Sequence, residues 1–271
     1  MVRNEVEAVL KLADTLNHRV LYFPAPLGSG TTATRVFGQT SFLEGGRGLS
    51  SAALTLPTAV AFDAGDNIYV ADTGNSRILA FGPLRDLPAA GAAALASGAA
   101  PLGQPDFVTS AGATAHNRLR SPTALAVNWT NGEIWVADTG NHRVLRFPPL
   151  GTLAVTGGAA YASGGLFGQV NFTARTPNLG APAPGQTSPA GLSFPNAVAL
   201  DGENNLLVGD GNSRVLLFFP QAVSVSAATF LAGAPLAPGM LASLFGTELG
   251  EQTGAAGLPL PMWEYDVSRL S

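Results

Sequence analysis

The stretch VADTGNSRILAF at Val70–Phe81 returns as VADTGNHRVLRF at Val136–Phe147, with nine of its twelve letters unchanged. Two looser copies flank this pair: LADTLNHRVLYF at Leu12–Phe23, and VGDGNSRVLLF at Val208–Phe218, which lacks the Thr after its Asp. A catalytic site that forms once in a protein has no reason to recur in this way, whereas a turn needed by every structural unit does. The pattern therefore predicts a repeat protein built from similar units.

Each unit is longer than these twelve residues. PTAVAF begins at Pro57, PTALAV at Pro122 and PNAVAL at Pro195, which sets a period of 65 to 73 residues. A further segment recurs between the copies as FGQTSF (37–42), LGQPDF (102–107) and FGQVNF (167–172); we call it the GQ segment. The N-terminal copy has no Pro-x-Ala start, so the sequence predicts three full units and one partial unit.

The local signals within a unit are those of strands. Ala59–Phe62, Ile68–Ala71 and Ile78–Phe81 are short apolar runs rich in β-branched and aromatic residues. Asp63–Asn67 and Asp72–Ser76 separate them and predict tight turns in which Gly and Asn accept positive φ. The GQ segment would supply a fourth strand after a long connection. Several repeats of four antiparallel strands are typical of a β-propeller.

The patterns P-x-A-(V/L)-A and (I/L)-x-V-A-D-T-G-N-x-R-(V/I)-L-x-F strongly resemble the NHL-repeat family of β-propellers, over roughly residues 10–219. The resemblance implies an all-β, NHL-type propeller with about three and a half four-stranded blades. They would form an open arc or part of a six-bladed ring, with a closed four-bladed ring as the alternative. The expected boundaries are 1–232 for the blades (a partial blade at 9–42, then 56–107, 121–172 and 194–232) and 233–271 for a tail. In the tail, Ala237–Gly250 resembles the first strand of an immunoglobulin-like domain that follows NHL propellers in some bacterial proteins.

Composition narrows the function classes. Charged residues make up 12% of the chain and the net charge is −4, so no general attraction to nucleic acid is expected. The absence of cysteine excludes disulfides and thiolate metal sites. No stretch is apolar and long enough to predict a membrane span, and residues 1–10 show no signal peptide. The compartment stays open, with an extracytoplasmic or secreted bacterial protein as one option.

The repeat also bears on the charged residues. One Asp and one Arg recur at equivalent positions in every copy, which favours a structural role for the Asp at the turn, with the Arg packed beside it. Such a pair is worth about 0–1 kcal/mol if it is exposed, and more if it is partly buried between blades. The predicted turn aspartates are Asp14, Asp72, Asp138 and Asp210. His18 and His142 stand where the other copies have Ser76 and Ser213. A position that exchanges with Ser is a poor metal ligand, so we expect no metal, no cofactor and no catalytic residue.

In a meander of this kind, these turns and the links between blades lie at one end of the propeller, which is the usual ligand face. Loops on a rigid scaffold commonly carry function. The candidate ligand-face residues at that end are Asn75, Arg77, Arg118, Arg120, Asn141, His142 and Arg143.

These observations favour a non-enzymatic binding or interaction module for a protein or a small extracellular ligand. One alternative is a metal-dependent hydrolase or lyase, similar to the gluconolactonase-like and peptide-amidating enzymes that hold a metal on the propeller axis. Another is a structural segment of a large bacterial surface protein. An incomplete ring leaves sheet edges open, so self-association through the open blade edges is also expected.

Overall fold

In the computed structural model of the protein, the described residues are 10–95, 101–149, 155–156, 159–160, 165–180 and 186–219. The predicted tail at 233–271, with its resemblance to an immunoglobulin-like strand, lies outside them. The strands within the described residues are β1 Leu10–Asp14, β2 Arg19–Phe23, β3 Arg35–Phe37, β4 Pro57–Phe62, β5 Asn67–Asp72, β6 Arg77–Pro83, β7 Ala124–Val127, β8 Ile134–Asp138, β9 Arg143–Phe147, β10 Val155–Thr156, β11 Ala159–Ala160, β12 Gly165–Phe167, β13 Ala197–Leu200, β14 Leu206–Asp210 and β15 Arg214–Phe218. Short 3-10 segments span Thr15–Asn17, Thr73–Asn75, Leu84–Asp86, Thr139–Asn141 and Pro177–Gly180.

The strands form four main antiparallel sheets that follow one another along the chain. The first sheet is β1-β2-β3, the second β4-β5-β6, the third β7-β8-β9-β12 and the fourth β13-β14-β15, while β10 and β11 form a separate hairpin. Strand β4 contacts both β1 and β7, and β7 contacts β13, so the strands that begin successive sheets lie side by side. The all-β prediction is confirmed. The number of blades in a complete ring stays a prediction.

The hydrophobic core lies between successive sheets. On β5, Ile68 and Val70 belong to a cluster shared with the first sheet, whereas Tyr69 belongs to a cluster shared with the third. On β8, Val136 packs toward the second sheet and Trp135 toward the fourth. The alternation follows from the two-residue period of a strand. Each fully buried side chain of this kind contributes about 1.5–3 kcal/mol, so the stacking of sheet on sheet dominates stability.

The GQ segment contributes a fourth strand in the third sheet, where β12 ends at Phe167 and pairs with β9. In the first sheet, whose described strands are β1, β2 and β3, β3 takes the same place and pairs with β2. In the second sheet the GQ segment pairs with β6 through a single antiparallel bridge, between Leu102 and Ile78. The prediction of a GQ strand is thus right in position, but the strands end before the Gly.

A leucine from the following linker packs closely against each GQ glycine. The GQ glycines have φ of +89° or +90°, and a Cβ on each would lie 2.5–2.6 Å from the leucine side chain. The glycine–leucine pairs are Gly38 with Leu54, Gly103 with Leu119 and Gly168 with Leu192. All three leucines are completely buried. Positive φ and lack of space therefore both require glycine here.

The two ends of the array carry exposed apolar side chains. Leu12 in the first sheet is 47% exposed, and Val215 and Leu217 on β15 are 68% and 40% exposed. No further strand pairs with the outer edge of β15 within the described residues. Such an edge can take up another strand, so self-association stays a prediction with a defined surface.

Candidate functional site

The segment from the repeated Asp to the repeated Arg, Asp72–Arg77 in the second sheet and Asp138–Arg143 in the third, is called the DTGN turn below. Asp138 is the last residue of β8. Its carboxylate accepts a hydrogen bond from the backbone N–H of Arg120 at 2.7 Å and another from Asn141 Nδ2 at 2.8 Å. Asp72 accepts the equivalent bonds from Thr55 and Asn75.

The Arg of the turn joins three parts of the chain. Arg143 Nε donates to Asp138 at 2.7 Å, and neither side chain is exposed. Its Nη2 donates to the carbonyls of Ala115 and Arg118 in the preceding linker, and its Nη1 donates to the carbonyl of Phe172, the last GQ residue. Arg77 makes the same set of contacts to Asp72, Ser50, Ala53 and Phe107.

In the central sheets the ion pair is buried, which is the alternative in which it contributes more than an exposed pair. Side-chain exposure is 0% for both partners in the Arg77–Asp72 and Arg143–Asp138 pairs. It is 18% and 22% for Arg19 and Asp14 in the first sheet, which packs against one other sheet, the second, among the described residues. Burial raises the pKa of Asp138, with the Arg143 charge opposing the shift, and Asp72 behaves alike. These carboxylates are fully engaged by protein donors, so the arrangement suits a structural role.

The chain reversal also differs from its prediction. Gly and Asn were expected to accept positive φ, but Thr73–Asn75 is a 3-10 segment and Ser76 after it is left-handed, with φ of 53°. His142 has the same place and a φ of 55°. Gly74 is needed for space instead, because a Cβ there would lie 2.7 Å from the carbonyl oxygen of Thr55.

The histidine of this left-handed position links one sheet to the next. His142 Nδ1 accepts a hydrogen bond from the backbone N–H of Phe194 at 3.0 Å, just before β13. Ser76 Oγ accepts the equivalent bond from Ser121, which explains why Ser and His exchange at this position. Burial lowers the pKa of His142, and Arg175 adds to this effect while Asp210 opposes it. The neutral imidazole is therefore the form that the fold requires.

Most candidate ligand-face residues lie in the interior. Five of them are less than a tenth exposed: Asn75, Arg77, Asn141, His142 and Arg143. Arg118 and Arg120 are partly exposed, and each donates from Nη2 to a carbonyl of its own linker, Ala111 or Gly112. The seven residues lie in or beside the DTGN turns of the second and third sheets. Their burial and their backbone partners argue against direct ligand contact.

Two further side chains of the unit, a Gln and a Thr for which no role is predicted from the sequence, connect neighbouring segments. Gln104 Nε2 donates to the carbonyls of Asn75, Ser76 and Ala111, so the GQ segment holds the end of the turn. Thr139 Oγ1 donates to the carbonyl of Pro195 at 2.6 Å, across to the next sheet. Thr73 makes the same contact to Pro122. Their recurrence in the repeat was the available signal.

A cavity of about 460 Å³ lies at the other end of the sheets, where the inner strands β4, β7 and β13 finish. Small side chains form much of its wall, including Ala61, Ala126 and Ala199. Phe62 and Trp129 add aromatic surface, and Trp129 is 66% exposed. The volume falls within the range of about 300–1,000 Å³ found for small-molecule sites, which are also concave and mostly apolar.

The polar side chains of this cavity differ in how far they are engaged. Asp201 accepts hydrogen bonds from the backbone N–H groups of Glu203 and Asn205 and from Asn205 Nδ2. The Asn205 side chain is the main reason that the pKa of Asp201 is lowered. Asn128 Oδ1 accepts from its own turn. Lys11 lines the same cavity, and burial lowers its pKa while the charge of Asp66 opposes that shift.

Across the described part of the chain, no group of three or more His, Cys, Asp or Glu side chains is arranged to hold a metal ion. In the same ranges, no helix has the length and apolar character needed to cross a membrane.

Comparison with known proteins identifies the repeat. Residues 54–81 and 119–147 match the family described as NHL repeat, and no curated protein matches the chain. Among solved structures, the chain resembles an auxiliary nutrient binding protein from Bacteroides thetaiotaomicron VPI-5482 (11% identity, TM-score 0.47) over 78% of this chain and 45% of that one. It resembles an auxiliary nutrient binding protein from Bacteroides ovatus ATCC 8483 (14% identity, TM-score 0.41) over 76% of this chain and 46% of that one. It also resembles a streptogramin B lyase (11% identity, TM-score 0.37) over 81% of this chain and 61% of that one. The chain thus spans about half the length of the two binding proteins.

Proposed function

We propose that this chain, which carries two NHL repeats in an all-β fold, is a non-enzymatic binding module for a small molecule. The cavity at the ends of β4, β7 and β13 is the observation that carries the proposal. Its wall includes residues of all four main sheets, so a ligand there would contact several sheets and not one loop.

The distribution of charged groups supports the same proposal. The Asp and Arg side chains of the DTGN turns bind one another and the backbone, which fits the proposed structural role of all four turn aspartates. The cavity instead combines an apolar wall with a few polar groups, as ligand sites commonly do. A ligand of small-molecule size suits this volume better than a folded protein surface.

A cavity-filling variant tests the site. Ala199 lies on β13, is exposed and lines the cavity, so Ala199→Trp should fill the space without disturbing the core. Ala197→Trp on the same strand is the matched control, because Ala197 is also exposed but does not line the cavity. Saturation-transfer NMR with mixtures of small metabolites should find ligands that bind the wild type and the control and lose at least about tenfold in affinity with Ala199→Trp. Equal binding to all three proteins, or no binding to any, contradicts the proposal.

A further inference from the structure

The cavity contains the one lysine of the chain. Lys11 lies on β1 of the first sheet, while the rest of the cavity wall comes from the second, third and fourth sheets. Its ammonium lies 3.0 Å from the centroid of the Phe62 ring, and both residues line the cavity. A cation held over an aromatic face is positioned and partly desolvated, which strengthens its attraction for an incoming anion.

The acidic groups around the cavity leave this charge available. Asp201 is engaged with the N–H groups of its own turn. Asp63 likewise accepts hydrogen bonds from Asn67 and from the Tyr69 hydroxyl. Asp66 acts on Lys11 electrostatically, but within the described ranges no carboxylate lies within 4.0 Å of the ammonium as an ion pair.

We infer that the cavity takes a small carboxylate with an apolar or aromatic body, whose anionic group binds Lys11. The body of the ligand then packs against the alanines of the inner strands and the exposed ring of Trp129. This inference rests on the proposed binding function and adds the chemical class of the ligand. A neutral ligand gains at most a hydrogen bond from Lys11, a carboxylate gains the attraction between charges as well, and a cation is repelled, so charge is the property to vary.

The experiment compares two probes of one shape, 2-naphthoate and the neutral 2-naphthamide. Reductive methylation with ¹³C-formaldehyde labels Lys11, the only lysine, together with the α-amino group, and keeps both positive charges; the Lys11 signal is the one that is absent from Lys11→Arg. Titration with 2-naphthoate should shift this signal and raise the pKa of Lys11, because a bound anion favours the protonated amine. 2-Naphthamide should bind at least about tenfold more weakly, which corresponds to about 1.4 kcal/mol, and should leave the Lys11 pKa unchanged.

Variants separate this inference from the proposal beneath it. Lys11→Met should remove the preference for 2-naphthoate, and Lys11→Arg should retain it. Equal affinities for the two probes, with both lost in Ala199→Trp, overturn the carboxylate class and leave the cavity as the binding site. A preference that survives in Lys11→Met, or failure of 2-naphthoate to bind at all, also overturns the inference. Failure of the metabolite screen against the same cavity is what overturns the proposed function.

Discussion

Removing one carboxylate from a central DTGN turn should destabilise the protein far more than removing its counterpart from the first sheet. Asp138→Ala leaves the Arg143 guanidinium completely buried without its counter-ion, and it takes the acceptor away from Arg120 N–H and Asn141 Nδ2. Breaking a buried pair in this way typically costs about 3–5 kcal/mol. Asp14→Ala breaks a pair whose members are 18% and 22% exposed, so partial solvent screening should make its loss clearly smaller than that of Asp138→Ala.

Urea denaturation followed by tryptophan fluorescence measures both losses, and Trp135 in β8 reports on the third sheet. The double variant Asp138→Ala/Arg143→Met should be more stable than Asp138→Ala alone, because it removes the uncompensated buried charge. Similar free energies of unfolding for Asp138→Ala and Asp14→Ala would refute the reasoning from burial. A double variant that is no more stable than Asp138→Ala would also refute it.

Gly103→Ala should lower the free energy of unfolding, measured with heat or urea, by more than about 1 kcal/mol, because φ is +90° and the new Cβ would overlap a buried leucine. Gly28→Ala is the control, because the space around Gly28 is open, and it should change the free energy of unfolding by less than about 0.5 kcal/mol. Burial lowers the pKa of His142 below its ordinary value of 6.5, so the free energy of unfolding should be highest above pH 6.5 and should fall as the pH drops below it. His142→Ser introduces the residue found at this position in the second sheet, and its melting temperature should depend less on pH. Light scattering should detect self-association that Val215→Lys/Leu217→Lys reduces, since both side chains are exposed on the outer strand β15; a wild-type monomer at high concentration would contradict this expectation.

The sheets were predictable because their signals are local. Apolar runs of four to six residues bounded by Asp, Gly and Asn are too short to show a helical period. Each run alone is weak evidence for a strand, but the same runs recur in several copies, which makes the strand prediction strong. Both faces of β5 are buried, so Ile68, Tyr69 and Val70 are all apolar, which is typical of a strand between two packed sheets. This is why the all-β fold could be predicted without knowing how the sheets contact one another.

The candidate site was less predictable because its properties arise between sheets. The same Asp and Arg letters are fully buried in the third sheet and partly exposed in the first, and only the number of neighbouring sheets distinguishes them. The cavity depends on Ala61, Ala126 and Ala199, which in sequence are ordinary strand alanines. The sequence shows that the one lysine lies in the partial unit. That this lysine contacts Phe62 depends on how the first and second sheets pack, which the sequence does not show.

The Thr-to-Pro bond between sheets has a consequence for how such a chain can grow. Thr73 and Thr139 each donate to the Pro that opens the next unit, at Pro122 and Pro195, so the second and third sheets each carry a donor for the sheet that follows. Gene duplication of a whole unit therefore restores all of these bonds at once, without compensating substitutions. The copy that ends in β15 has no Thr after Asp210 and cannot pass the bond on, so lengthening the array requires copying one of the two units before it.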